Sequence, residues 1–194
     1  MVLQANSTLK VPKNWSTERD RKVWLAGEAF FDVTKKQAST PIKFIVDTDN
    51  FSIEVLGTQF NVLARDNNKR VNLQEGKIKF LWGNQRNEIA LVPNEMIAYS
   101  KEENQFKKLK VEAAIYTAWK EQKLILNNTP LSEIARILEE NYGYQVRFAP
   151  SVNRNRTKSS VGAISTSNID NLITIIEASY EVEINKNNQL ITIN

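Results

Sequence analysis

Two carboxylates, Glu28 and Asp32, stand four residues apart in the phrase Gly27-Glu28-Ala29-Phe30-Phe31-Asp32-Val33. A carboxylate pair is the one arrangement in this chain that could serve general acid–base chemistry. Histidine and cysteine are both absent. That removes the commonest general base, the commonest metal ligand, the thiolate nucleophile and any disulfide. A carboxylate-only mechanism stays open, but Glu28 and Asp32 share one predicted strand with neither a partner base nor a substrate cue. The phrase reads as fold-building, and no catalytic residue, metal or cofactor is expected.

The other chemically distinctive residues are basic. Lys107, Lys108 and Lys110 form one run, and Arg154, Arg156 and Lys158 form another, in a chain of formal net charge +4. Nucleic-acid binding needs such charge on one face beside exposed aromatics. Neither run interleaves with aromatics and no GxxG loop is present, so both read as solvated loops and no nucleic-acid partner is expected. Trp24 and Trp82 are candidate platforms for a sugar ring, yet both sit in alternating strand phrases where burial competes. Function must therefore come from surfaces, and no direct small-molecule substrate is expected.

A chain of 194 residues with 41% hydrophobic and 25% charged residues is long enough for one large or two small globular domains. No run approaches the ~20 apolar residues that a membrane helix requires, and no signal-peptide core follows Met1. Met1 directly before Val2-Leu3-Gln4 reads as a start placed inside a domain. The lack of cysteine suits a periplasmic setting but selects none.

Residues 20 to 112 read as strands. Val23-Leu25 and Phe30-Phe31-Val33 flank an expected turn at Gly27-Glu28, with Phe30 and Phe31 facing opposite sides. Ile42-Phe44-Val46, Phe51-Ile53-Val55, Phe60-Val62, Val71-Leu73 and Ile78-Phe80-Trp82 continue the alternation. Gln74-Glu75-Gly76 is a hairpin signal, because Gly76 can take a positive φ. Gly83-Asn84 and Pro93-Asn94-Glu95 punctuate the next pair, with Glu95 expected to be exposed, and 101–111 reads as a terminal strand or connector. Short strands at regular turn spacing predict a β-sandwich or wound β-roll.

Beyond 112 the period changes. Leu124-Ile125-Leu126 predicts a strand. Thr129 then reads as an N-cap with Pro130 at the first helical position. Leu131, Ile134, Ala135 and Leu138 recur at helical spacing up to Gly143, a C′ glycine. Tyr144 to Phe148 predicts a strand, as does Ser160 to Ser165. Ser167 or Asn168 caps a second helix with Ile169, Leu172, Ile173 and Ile176 on one face. Val182 to Ile184 and Ile191 to Ile193 close a hairpin about Asn187-Asn188. The expected fold class is α+β: an N-terminal all-β sandwich or roll over 1–112, then a small two-helix α+β domain over 113–194 in the order β-α-β-β-α-β-β.

The phrases GEAFFDV (27–33), VLGTQFNV (55–62), LQEGKIKF (73–80) and LVPNEM (91–96), in that order, resemble the FecR domain. That domain belongs to the periplasmic region of FecR-type transmembrane anti-sigma factor regulators. The continuation AWKEQKLILNNTPLSEIARILEENYGYQV (118–146) resembles the domain that follows it in one large branch of the family. This second domain is similar to the small signalling fold shared by secretins and by the N-terminal extensions of TonB-dependent transporters.

The resemblance implies cell-surface signalling without enzymatic turnover. The signalling domain of an outer-membrane TonB-dependent transporter engages the periplasmic region, and an extracytoplasmic-function sigma factor is controlled through a cytoplasmic segment outside this sequence. The chain is then the periplasmic region of a single-pass inner-membrane protein, with the first strand or strands of its FecR domain upstream of Leu3-Gln4-Ala5-Asn6-Ser7. The resemblance also implies one candidate reaction, self-cleavage of the Gly57-Thr58 bond by attack of the Thr58 hydroxyl on the Gly57 carbonyl. A glycine that permits a bulge beside an ordinary strand threonine is the competing reading and the favoured one.

Transporter contacts are expected at an uncovered strand edge, where a partner sheet can add a strand. The candidates are Leu124, Ile125 and Leu126, then 160–165, then Leu190–Ile193 with Ile191 and Ile193. Trp119 is expected as an apolar anchor. From a different class, a carbohydrate- or envelope-binding β-sandwich module is the alternative reading.

Overall fold

The computed structural model describes residues 1–15, 18–37, 39–65, 68–83, 87–158 and 162–194. Asn84 of one expected turn and Ser160 of one expected strand lie outside them. The chain is α+β and divides into two compact units, Met1–Thr117 and Ala118–Asn194.

In the first unit, β1 (Val2–Leu3) and β2 (Thr8–Lys10) run antiparallel to a long strand, β3 (Arg21–Val33). There follow β4 (Phe44–Asp47), β5 (Phe51–Val55), β6 (Thr58–Arg65), β7 (Asn68–Glu75), β8 (Ile78–Trp82), β9 (Asn87–Leu91), β10 (Glu95–Ser100) and β11 (Gln105–Lys110), then the short helix α1 (Ala113–Thr117). All the strands join one curled sheet in the order β11-β10-β7-β6-β3-β4-β5-β8-β9, with β1 and β2 attached to β3 off that path.

The sheet curls because β3 serves two leaves. Its first half pairs with β2 and, in parallel, with β4, while its second half pairs with β1 and β6. The expected turn at Gly27-Glu28 is corrected here: the chain does not reverse. Ala26 still pairs with Thr8, and Gly27 already pairs with Ala64. Gly27 instead bends a continuous strand, at φ +105°, and a Cβ there would lie 2.3 Å from Ser7 Oγ. That hydroxyl oxygen accepts the Glu28 N–H at 2.9 Å.

Both leaves line one core. Phe31 stacks on Phe60 of its own leaf at 5.1 Å and meets Phe44 of the other at 5.7 Å, while Phe80 meets Phe106 across the roll at 5.0 Å. Each fully buried side chain of this size contributes roughly 1.5–3 kcal/mol. Phe30 is also buried but stands outside that core, on the reverse face with Glu28, as strand alternation requires.

The second unit opens with a 3-10 turn (Ala118–Glu121), then β12 (Lys123–Leu126), β13 (Thr129–Pro130), α2 (Leu131–Tyr142), β14 (Gln145–Phe148), β15 (Thr157–Lys158), β16 (Gly162–Ser165), α3 (Ile169–Tyr180), β17 (Ile184–Asn187) and β18 (Leu190–Ile193). The expected order holds, with the two-residue strands β13 and β15 added. Leu131, Ile134, Ala135 and Leu138 of α2 are buried, as are Leu172, Ile173, Ile176 and Tyr180 of α3.

The expected Thr129 cap is corrected. Thr129 and Pro130 are extended and pair with Lys158 and Thr157, so the cap position falls to Pro130 and α2 starts at Leu131. Main-chain carbonyls do the capping instead: Leu131 N–H donates to Arg156 O at 3.0 Å and Ser132 N–H to Arg154 O at 2.9 Å. This satisfies donors that every helix start leaves orphaned. In α3 the side chain of Asn168 caps, accepting from the Asp170 and Asn171 N–H groups.

A shift of thirty-eight positions superimposes the two halves of this unit in sequence. Leu131–Tyr142 falls on Ile169–Tyr180, Glu139 on Glu177, Tyr142 on Tyr180 and Val146 on Ile184. The residues ending the two helices, Gly143 (φ 76°) and Glu181 (φ 52°), are both left-handed. The unit is an internal repeat, with β12 and β16 paired antiparallel.

Candidate functional site

The Gly57-Thr58 bond lies in the bend between β5 and β6, stacked on the turn between β7 and β8. The stacking explains both glycines. A Cβ on Gly57 would lie 2.7 Å from Lys35 Cβ, and one on Gly76 would lie 2.6 Å from Gly57 O and 2.8 Å from Thr58 Oγ1. Gly76 also needs its positive φ of +92°, whereas Gly57 keeps a φ outside the left-handed region. Gly57 is thus required by close approach, not by an unusual backbone angle. The register shift of the β6–β7 ladder falls further on, opposite Gln59 and Phe60, where Gln74 of β7 is skipped.

Thr58 is buried, and its hydroxyl donates to the Lys77 carbonyl at 3.1 Å. A carbonyl oxygen accepts a hydrogen bond but is no general base. The hydroxyl is held by a partner that aligns it without activating it.

The carboxylates Glu28 and Asp32 do not converge. Four strand residues separate them by about 13 Å at ~3.3 Å per residue. Glu28 is buried and accepts Asn61 Nδ2–H at 2.7 Å, while Asp32 is exposed. Among the described residues no acidic cluster could hold a metal ion. The tryptophans form no flat platform: Trp82 packs edge-on against Phe106, and the Lys10 ammonium lies 4.3 Å above the Trp24 ring.

The second basic run reaches solvent and has partners within its own unit. Arg156 and Lys158 bind Glu181 at 2.7 and 3.2 Å, and Arg154 lies 4.9 Å over the Phe148 ring. The Lys158 hydrogen bond, then its charge and the Arg156 guanidinium, hold the Glu181 carboxyl below its usual range. Glu95, expected to be exposed, is half-buried. It accepts the Val92 N–H at 3.0 Å and pairs with Lys108 at 3.0 Å, and the Val92 bond leads in lowering its pKa.

The strand edges of the second unit differ sharply. The three-stranded sheet runs β14-β18-β17, so Leu190–Ile193 is its middle strand, and Ile191 and Ile193 are fully buried. Their expected role at a free edge is corrected: β18 pairs on both sides. On the outer edges of β14 and β17 a helix carboxylate takes one outward N–H each. Glu139 accepts the Val146 N–H at 3.1 Å, and Glu177 accepts the Ile184 N–H at 2.7 Å, at equivalent places in the repeat. Such local caps are a common defence of exposed edges.

β12 differs from them. It pairs only with β16 among the described residues, and β16, the described part of the expected edge 160–165, pairs only with β12. The bond from Thr166 N–H to Gln122 O sets the alternation of that ladder, so the Ile125 N–H faces the open side. Leu124 and Ile125 are half-buried and Leu126 is fully buried. Sequence reading placed the candidate strand but missed the two glutamates that separate it from the others. Their signal was the thirty-eight-residue repeat.

A β-roll with a shared spine strand is followed by a repeated two-helix unit in which β12 and β16 each keep an unpaired edge among the described residues. Residues 1–79 match the family described as FecR protein, and residues 123–193 match FecR, C-terminal. Together the matches span well over half of the sequence, and the chain belongs to the FecR family. Two crystal structures of a candidate anti-sigma factor from Parabacteroides distasonis ATCC 8503 are similar. One gives a TM-score of 0.82 at 26% identity, covering 99% of this chain and 88% of that one. The other gives 0.81 at 26%, covering 98% and 87%. No curated protein matches. The chain is part of a signalling regulator of the anti-sigma type. Among the described residues no helix is long and apolar enough to cross a membrane.

Proposed function

We propose that this chain is the periplasmic region of a single-pass inner-membrane anti-sigma factor. It receives the N-terminal signalling domain of an outer-membrane TonB-dependent transporter, and it controls an extracytoplasmic-function sigma factor through a cytoplasmic segment outside this sequence. Residues 1–112 and 113–194 act as its FecR-like and signalling-type domains. The paired FecR matches support the signalling assignment, and the single observation that carries the docking site is the open edge of β12. A partner strand laid along Leu124, Ile125 and Leu126 would gain main-chain hydrogen bonds, including one to the Ile125 N–H, whose counterparts on β14 and β17 are held by Glu139 and Glu177.

The direct test is calorimetry of this chain with the N-terminal extension of the transporter encoded beside it. Binding with Kd in the micromolar range is expected, and Ile125→Pro, which deletes one outward N–H, weakens it by about tenfold or more. An Ile125→Pro chain that folds and binds as tightly as the parent rules out the β12 edge. Absence of binding at high micromolar concentration rules out the transporter partner.

A further inference from the structure

The bend carrying Gly57 and Thr58 also walls a cavity of about 630 Å³, a volume typical of pockets that enclose a ligand. Its sides are apolar, from Pro41, Val55, Leu56 and Ile78, and four lysines stand around it against one carboxylate, Glu54. Two of those lysines are neutralised: Lys43 bonds Glu54 at 2.7 Å, and Lys79 bonds Glu88 at 2.6 Å. Lys35 and Lys77 are exposed and have no carboxylate partner among the described residues.

The wall between these two lysines is bare backbone. Gly57 and Gly76 have no side chains, and the main chain of Leu56, Gly57 and Gly76 makes no main-chain hydrogen bond outside the ladders among the described residues. We propose that this cavity binds a short acidic and apolar peptide segment of a partner protein. One carboxylate lies between Lys35 and Lys77, and one apolar side chain lies against Pro41, Leu56 and Ile78.

The choice of a peptide follows from the combination. Two exposed ammonium groups contribute little alone, apolar walls carry no directionality, and a peptide brings a carboxylate, an apolar side chain and main-chain groups together in one ligand. The glycines let the two bends and Lys35 close on one another, since a Cβ at either position would meet a neighbour under 3 Å away. The site belongs to the first unit and is independent of transporter docking at β12. Its test uses synthetic probes, so its failure leaves that reading untouched.

The full chain is titrated, with amide NMR as readout, against the blocked peptide Leu-Glu-Leu-Asp-Leu, its uncharged counterpart Leu-Gln-Leu-Asn-Leu, and octanoate. Saturable shifts at Leu56, Gly57, Gly76 and Lys77 are expected with the acidic peptide, at least about tenfold tighter than with the uncharged one. Replacing both lysines, Lys35→Gln with Lys77→Gln, removes that tenfold while leaving the melting temperature unchanged, because both side chains are exposed. Four results would each overturn the proposal: no binding at millimolar peptide, equal binding of the two peptides, undiminished binding by a folded double variant, or shifts confined to other residues. Octanoate binding as tightly as the acidic peptide would overturn the peptide assignment.

Discussion

The Tyr180 hydroxyl donates to the Thr129 carbonyl at 2.7 Å, joining the end of α3 to the residue pair that precedes α2. The repeat supplies the reciprocal bond, from the Tyr142 hydroxyl to the Thr166 carbonyl at 3.1 Å. Each half of the second unit thus closes on the start of the other. Burial raises the pKa of both phenols, and for Tyr142 the Thr166 bond partly offsets that rise. Both therefore stay protonated donors at neutral pH.

Removing these hydroxyls should be unequal in cost. Tyr180→Phe leaves the Thr129 carbonyl without its partner in a fully packed setting and costs about 1–2 kcal/mol. Tyr142→Phe, on a half-buried ring with a longer bond, costs less. Urea denaturation followed through the amides of α2 and α3 measures both, and equal costs would contradict the asymmetry.

The glycines separate backbone conformation from steric contact. Gly143→Ala meets nothing within 4 Å and should lose only the ~1 kcal/mol of a left-handed residue that gains a Cβ. Gly27→Ala and Gly76→Ala add contacts of 2.3 and 2.6 Å to positive φ, and each should exceed ~2 kcal/mol. Thermal melts of the three variants rank them.

Glu181 sets a pH dependence with a defined sign. Its folded pKa lies below the ordinary 4.5, so its pairing stabilises the fold fully above that ordinary value and is lost as pH falls through the lowered one. Melting temperatures of the parent and Glu181→Gln should differ near neutral pH and converge once the pH falls below that lowered pKa. High salt should narrow the gap, because the pairs are exposed. A gap that widens on acidification would reverse the sign.

The Gly57-Thr58 bond has a direct test in the intact mass of freshly purified protein followed over days. With Thr58 held by a carbonyl and no base bonded to it, the full-length chain is expected to persist. Fragments ending at Gly57, abolished by Thr58→Ala, would instead establish self-cleavage.

Much of the architecture was legible because alternation and helical spacing are local. The hairpin at Gly76, the cap at Asn168 and the buried stripe from Leu131 to Leu138 follow from neighbours within a few positions. Gly27 misled for a physical reason: a positive φ serves a turn and a bend equally, and only the partners Thr8 and Ala64, distant in sequence, distinguish them. Thr129 misled because its alternative partner, Lys158 of β15, directly follows the loop whose carbonyls cap α2. Ile191 and Ile193 showed the alternation of a strand, but alternation does not say whether a strand is central or at an edge. The cavity walled by Lys35, Gly57 and Gly76 is assembled from segments far apart in the sequence and leaves no local pattern.

The shared spine of the first unit has a mechanical consequence. Because β3 is one covalent strand through both leaves, a pull on β2 or β4 loads the same backbone that carries β1 and β6. The leaves cannot slide past each other without breaking ladder bonds on both sides of Gly27. The roll therefore transmits a displacement as a stiff lever does, with Gly27 as the bend that joins its two arms.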